Sequence, residues 1–296
     1  MKSPATKSAS ISLLSLISSA QMAGAISFRH DVLEQEYIDL SASYNSVGRA
    51  QGNGFIGTGF LASPTKFVTA GHLVDNDGDG IVDTQDFTAR FGNTTSGFDV
   101  DFSASRVDVH PMFASSQRYD IAVFTFDTPI TGFTPMTISD TVPIGQTVTM
   151  VGYGAHGNGD TFGTVSSRDD TRRAAQNIID TQDNRFYLTD FDRVTEDTNS
   201  YGSPTPLSLE GTSAGGDSGG PLIFNGAVVG IVQGGFSNRF GEFSEYGDRA
   251  TWLRLNDPEI INYLQDDHGI TIIPEPSVIA LGLTSILLLV RRRLSR

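Results

Sequence analysis

His72, Asp120 and Ser218 are the residues through which this chain could do covalent chemistry. Phe67-Val68-Thr69-Ala70-Gly71-His72 reads as a strand ending in a small-residue turn that presents an imidazole. Asp120-Ile121-Ala122-Val123-Phe124 opens an apolar strand with a carboxylate. Gly215-Gly216-Asp217-Ser218-Gly219-Gly220-Pro221-Leu222 sets a serine among glycines, where the backbone can turn tightly and expose its amides. A serine hydroxyl is a weak nucleophile until an imidazole takes its proton, and that imidazole needs a buried carboxylate to fix its tautomer. The N–H groups of Gly216 and Ser218 would form an oxyanion hole. The same glycines also spell G-x-S-x-G, the nucleophile elbow of α/β-hydrolases. That fold needs the order Ser…Asp…His and alternating helices, and only His268 follows Ser218. The observed order is His…Asp…Ser, so the elbow reading falls.

A second group of ligand-bearing residues follows the histidine. Asp75-Asn76-Asp77-Gly78-Asp79-Gly80-Ile81-Val82-Asp83-Thr84-Gln85-Asp86 fits an EF-hand-like loop. Its ligands would be the carboxylates of Asp75, Asp77, Asp79, Asp83 and Asp86 and the carbonyl of Ile81, with glycine at position 6. Crowded carboxylates repel, and a bound Ca2+ would relieve them. The loop resembles dockerin-type loops, which end in Asp rather than Glu. A solvated acidic loop is the plainer alternative.

The elements that must position these groups read as many short strands. Gly54–Leu61, Lys66–Ala70, Ile121–Asp127, Gln146–Gly152, Pro221–Phe224 and Ala227–Val232 are rich in Val, Ile, Phe and Thr and are broken by Gly, Pro, Asn and Asp. Apolar residues at helical spacing occur only near the end. There Asp257-Pro258 starts a helix over 258–267 that carries Ile260, Ile261 and Leu264, with Gly269 beyond it. Segment 155–205 is polar and reads as long loops. The fold class is all-β with a C-terminal helix.

Together, T-A-G-H, D-I-A and G-D-S-G-G-P, spaced by 48 and 98 residues, resemble the motifs of a trypsin/chymotrypsin-type serine endopeptidase over about residues 45–256. Gly152-Tyr153-Gly154 is similar to that family's glycine–aromatic–glycine strand end. The resemblance implies two packed six-stranded antiparallel β-barrels, roughly 45–140 and 141–256, with the cleft between them. It implies a polypeptide substrate, with His72 as general base then acid, Asp120 as its orienter and Ser218 as the acylated nucleophile. Thr212, Gln233 and Gly235 would contact substrate, and Asp248 could reach the specificity pocket. Leu73 and Ala214 stand where many members have half-cystines. Thr212 stands where an acid would select Lys or Arg. Asp217 would pair with a freed Ile26 amino group, or with Arg29. Read against these motifs, the other class of function is a non-catalytic surface binding or adhesion module that keeps the fold. A calcium-dependent structural protein would carry repeats of the acidic loop, and one copy is present.

The ends read as addresses outside the 26–268 protease domain. Lys2 and Lys7, the apolar Ile11–Ile17 stretch and Ala23-Gly24-Ala25 form a secretory signal over 1–25, with cleavage leaving Ile26 first. In the 269–296 tail, Pro274-Glu275-Pro276, the apolar segment 277–290 and Arg291-Arg292-Arg293 resemble a PEP-CTERM sorting signal. That implies an exosortase-type enzyme as partner, transient membrane association, and delivery to the cell envelope or outside. Fourteen residues rise only about 21 Å as a helix, against roughly 30 Å of hydrocarbon. The whole chain of 296 residues has 20 basic and 34 acidic residues, a net charge of −14, which leaves no basic face for nucleic acid. Zero cysteines exclude disulfides, thiol catalysis and zinc–thiolate sites.

Overall fold

The computed structural model describes residues 26–275 except 53, 94–97, 162–167, 196–197, 203 and 238–243. The predicted signal at 1–25 and the apolar segment 277–290 lie outside the described residues. Among the described residues no helix is long and apolar enough to cross a membrane.

Two curled antiparallel sheets make the body, and each closes by bending one strand. In the first, Phe98–Ser103 pairs with Phe87–Asn93 at one edge, while Arg106–Val109 pairs with Ala122–Thr125 at the other. Only Ala104 and Ser105 separate them. Ala104 N donates to Phe87 O (2.9 Å) and Ser105 N to Thr125 O (2.8 Å), so the corner itself bridges both edges. The seven strand segments of this sheet are therefore six strands, one of them bent. The second sheet closes the same way. Arg173–Ile178 lies at one edge beside Thr147–Gly152, and Thr181–Gln182 lies at the other beside Phe186–Asp190. The two-residue strands Ile138–Ser139 and Ile272–Ile273 add to this sheet and bring its count to nine. A barrel without free edges leaves no unpaired ladder.

Burial on both faces explains why these strands read as continuous apolar runs. Phe67 points into the first barrel, where its ring lies 5.7 Å from Phe91 and 5.6 Å from Phe124. Its neighbour Val68 faces the other way and packs with Val123, Val151 and Ile231 between the barrels. In the second barrel Trp252 is fully buried, and its indole N–H donates to Thr189 Oγ1 (3.2 Å).

Three local expectations change. Segment 155–205 supplies two full strands, Arg173–Ile178 and Phe186–Asp190, because its polar residues are buried with partners. Asn177 Nδ2 donates to the carbonyls of Asp190 (2.6 Å) and Gly211 (2.9 Å), and Arg173 is held by Asp169 and Glu34. A helix unexpected from sequence spans Glu34–Ser41. It is tied down by Tyr37, whose hydroxyl donates to Glu210 O (3.0 Å), and by the Glu34–Arg173 pair rather than by an apolar stripe. The C-terminal helix begins as expected, with Asp257 accepting from Glu259 N (3.0 Å), but is α-helical only over Pro258–Asn262 and π-wound over Tyr263–Asp267.

Asp180 sits at the second closing corner beside Asp190. Burial, then the Asp190 charge, pushes its carboxyl up to about 8. Asp190 meanwhile accepts backbone N–H groups from Ser200 and Tyr201. Such a shift weakens the fold as pH rises from about 4 to 8, because the unfolded chain releases a proton that the folded chain keeps. Asp180→Asn is therefore expected to melt roughly 2–4 °C above wild type at pH 8, the size of about 1 kcal/mol in a chain this long, with the gain vanishing at pH 4. Calorimetry at the two pH values checks it.

Candidate active site

His72 lies in the single turn Gly71–Leu73 at the end of strand Lys66–Thr69. Asp120, 1% exposed, stands just ahead of strand Ala122–Thr125, which pairs with that same strand. The ladder therefore brings the two side chains together. Asp120 Oδ2 lies 2.7 Å from His72 Nδ1, and Oδ1 accepts the His72 backbone N–H at 2.8 Å. Two contacts fix both the position and the tautomer of the ring, leaving Nε2 to face outward. Burial alone would lower the His72 pKa. The Asp120 charge and hydrogen bond outweigh it, so the net shift is upward. The imidazole remains 39% exposed, which keeps it open to the cleft.

Ser218 comes from the second barrel, on the loop before strand Pro221–Phe224. Thr58, inside strand Phe55–Ser63 of the first barrel, holds that loop by two hydrogen bonds and is itself held by a third. Its N–H donates to Ser218 O (2.9 Å), its hydroxyl donates to Gly216 O (2.9 Å), and the same oxygen accepts from Tyr153 N (3.1 Å). Gly219, at φ +80°, leaves no space for a side chain. A Cβ there would fall 2.4 Å from Thr58 O and 2.5 Å from Ala70 N. The serine loop thus rests directly on the strand that ends in His72. Among the described residues no hydrogen bond joins Ser218 Oγ to His72. Such bonds are often long until substrate closes the site. Gly216 takes φ +98°, and neither its N–H nor that of Ser218 donates to an acceptor among the described residues.

Beneath the loop, Asp217 is 1% exposed and accepts from Ala214 N (3.0 Å) and Gly154 N (3.2 Å). Burial pushes its carboxyl up to about 7, against those bonds and the charges of Arg168 and Arg173. Gly152 is a glycine because a Cβ would fall 1.9 Å from Asp217 Oδ1. Ile26, 1% exposed, leads into strand Ser27–Phe28, which pairs with Gly211–Thr212. Arg29 is not the partner of Asp217. Its guanidinium binds Asp31 (2.9 and 2.7 Å) and the carbonyl of Leu207 (2.6 Å).

A cavity of about 300 Å³ opens beside Ser218, lined by Thr212, Ala214, Val232, Gly235 and Asp248 among others. Gln233 does not line it. Its side-chain oxygen accepts the Thr251 hydroxyl (2.9 Å) instead. Leu73 fills its own neighbourhood by packing, with Cδ1 2.2 Å from where a Gly57 Cβ would sit. In the acidic loop, ligand oxygens of Asp75, Asp77 and Asp83 come within 4.8 Å of one another, a group that does not include Asp79 or Asp86. Asp75 is 1% exposed and accepts from Gly78 N (2.8 Å) and Gly80 N (2.7 Å). The Ile81 side chain is exposed. Of the other histidines, His110 stacks on Tyr119 at 4.8 Å, His268 meets Tyr263 at 4.6 Å, His30 Nδ1 lies 2.9 Å from the Tyr246 hydroxyl, and His156 Nδ1 lies 2.5 Å from Glu34.

Thr58 and Arg168 went unread in the sequence. The signal for Thr58 was Gly57-Thr58-Gly59 in mid-strand, where glycines mark close backbone approach. Nothing in the sequence marks Arg168, whose Nη2 lies 2.8 Å from where a Gly216 Cβ would sit.

Comparison with known proteins bears on this arrangement. The family described as Trypsin matches residues 38–247. Trypsin iota of Drosophila melanogaster is 32% identical over 158 residues, 49% of this chain, and the chain spans 58% of that relative's length. Among solved structures, neuropsin, a serine protease expressed in the limbic system of mouse brain, superposes with a TM-score of 0.56 at 15% identity. The match covers 77% of this chain and 96% of neuropsin, a likeness of fold alone.

The upward shift of His72 depends on one neighbour. In an NMR titration the ring of His72 is expected to titrate above 6.5, and Asp120→Asn to lower its midpoint by about 1–3 units. An unchanged midpoint would show that Asp120 does not set the ring's charge.

Proposed function

The chain belongs to the trypsin family, and on that premise we propose that it is an exported serine endopeptidase whose acyl-enzyme forms on Ser218. The observation that carries the proposal is the His72–Asp120 pair (2.7 Å), set against a serine loop that Thr58 holds onto the same barrel. His72 Nε2 takes the proton of Ser218 Oγ as that oxygen attacks the scissile carbonyl carbon. Asp120 stabilises the imidazolium that forms, without taking the proton. The Gly216 and Ser218 N–H groups receive the oxyanion, where one lost donor costs about 10²–10³ in rate. The imidazolium then gives its proton to the leaving amine, and the C–N bond breaks. Water repeats the sequence on the ester and frees Ser218.

Two supports belong to the same reading. A free amino group on Ile26, left by cleavage after Ala25, supplies the cation that buried Asp217 needs. The burial of Ile26 and the pairing of Ser27–Phe28 with Gly211–Thr212 support it. A Ca2+ ion would be held by Asp75, Asp77 and Asp83, whose carboxylate oxygens lie within 4.8 Å of one another and are the hard oxygen ligands such a cation takes. It would brace the segment that leaves His72. The Pro-Glu-Pro tail with its arginine cluster takes the enzyme to the cell envelope through an exosortase-type partner.

A fluorophosphonate probe is expected to label the wild-type chain and not Ser218→Ala, with labelling and melting temperature both lowered by EGTA. A folded chain that never labels would favour the non-catalytic binding module, and indifference to EGTA would remove calcium. An added Met-Gly ahead of Ile26 is expected to reduce labelling at least tenfold. Full labelling of that extended chain would remove the role of the free amino group.

A further inference from the structure

Three consecutive charged residues, Arg168, Asp169 and Asp170, lead up to strand Arg173–Ile178, and the two acids are each locked to a buried arginine. Arg173 Nη1 and Nη2 donate to the two oxygens of Asp169 at 2.9 and 2.8 Å, and Asp170 Oδ2 pairs with Arg49 Nη1 at 2.6 Å. The backbone from which Arg168 extends is thus held at two successive residues. Arg168 itself is exposed, and among the described residues its guanidinium makes no hydrogen bond or ion pair. We propose that Arg168 binds a carboxylate on the leaving-group side of the scissile bond, carried within the first two residues beyond it. This rests on Ser218 being the nucleophile and on the Gly216 N–H receiving the oxyanion.

The position of the guanidinium gives the side. Its Nη2 lies 2.8 Å and its Cζ 3.5 Å from where a Gly216 Cβ would sit, so it stands at the rim of the oxyanion hole. The cavity beside Ser218 is walled by Thr212, Ala214 and Gly215, and neither Gly216 nor Arg168 lines it. A carbonyl seated in the hole sends its acyl-side side chain into that cavity. What reaches Arg168 therefore lies past the scissile bond. An extended residue spans about 3.3–3.6 Å, which puts the first two residues of the leaving strand within roughly 7 Å of the reacting carbon.

The chemistry gives the ligand. A guanidinium presents a planar fork that takes both oxygens of a carboxylate at once. The nearest rival for its charge is Asp217, which is 1% exposed and turned to the backbone N–H groups of Ala214 (3.0 Å) and Gly154 (3.2 Å). Arg168 acts on that carboxyl through space and does not hydrogen-bond to it. A net charge of −14 opposes acidic peptides at long range, so the attraction is local to this one side chain. The carboxylate can come from an Asp or Glu side chain or from the free C-terminus of a short peptide.

Binding to the full chain carrying Ser218→Ala needs no catalysis and is read by fluorescence anisotropy. The probes are dye-labelled octapeptides in which one Glu, Gln or Lys is moved along an otherwise constant, C-terminally amidated sequence. At its best position Glu should bind about three- to fivefold more tightly than Gln, the range of a single exposed pair. Adding Arg168→Gln should bring that ratio to about one, and Arg168→Glu should reverse it in favour of Lys. Unamidated peptides without Glu, shortened one residue at a time, show whether a chain terminus serves as well. Mass spectrometry of wild-type digests should place the cut one or two residues ahead of the preferred carboxylate. Equal affinity for Glu and Gln with no gain from a free terminus, or a preference that survives Arg168→Gln, overturns the proposal. A loss in Arg168→Gln that falls equally on Glu, Gln and Lys peptides also overturns it and assigns the guanidinium to Asp217. An Arg168-dependent preference in a chain whose Ser218 never labels with fluorophosphonate keeps the carboxylate site and overturns the catalytic reading alone.

Discussion

Everything in the site depends on one close approach, that of the serine loop to the strand of the other barrel. Thr58 donates to Ser218 O and Gly216 O, and Gly219 presses on Thr58 O and Ala70 N. The cleft exists because two closed sheets touch backbone to backbone at this point, with Val68, Val123, Val151 and Ile231 sealing the interface behind it. Glycines at 57, 219 and 220 serve that contact, since a Cβ on each would lie 3.1 Å from Ser218 O, 2.4 Å from Thr58 O and 3.3 Å from Thr58 Cγ2 respectively. With no cysteine in the chain, packing and these hydrogen bonds alone hold the loops.

Charge is distributed around the cleft in a graded way. Asp120 is buried but anchored on His72, so its cost is spent in raising the basicity of the ring. Asp217 is as deeply buried and has only backbone donors in direct contact, so its carboxyl sits at about 7. Asp180 and Glu210, both pushed up to about 8 by burial, lie farther back, where each faces the charges of Asp190 and Asp192.

The catalytic candidates were legible because each lies in a short motif whose residue types have few other uses together. The strands were legible as apolar runs, since each is buried on both faces. Segment 155–205 was not, because Arg173, Asn177 and Asp190 satisfy themselves against distant groups that no local pattern reveals. Helix Glu34–Ser41 was missed for the same reason: eight residues held by Tyr37 and Glu34 through tertiary bonds carry no apolar periodicity. Asp248 could be counted along the chain but not placed, for its turn is fixed by a bond from Phe191, just past strand Phe186–Asp190. In the acidic loop the spacing suggested five carboxylates, and folding gathers three of them, since the chain path and not the count decides which oxygens meet.

The division of the site between barrels has a consequence for the life of the chain. His72 and Asp120 can be complete while Ser218, 98 residues further on, is still being made or still unfolded. Because most contacts in this topology join distant parts of the chain, assembly is slow and late. A nascent or half-folded copy therefore has an imidazole without a nucleophile, or a nucleophile without its cradle. The arrangement of His72 and Ser218 is therefore complete only when the last interface shuts, with Thr58 seated on the serine loop.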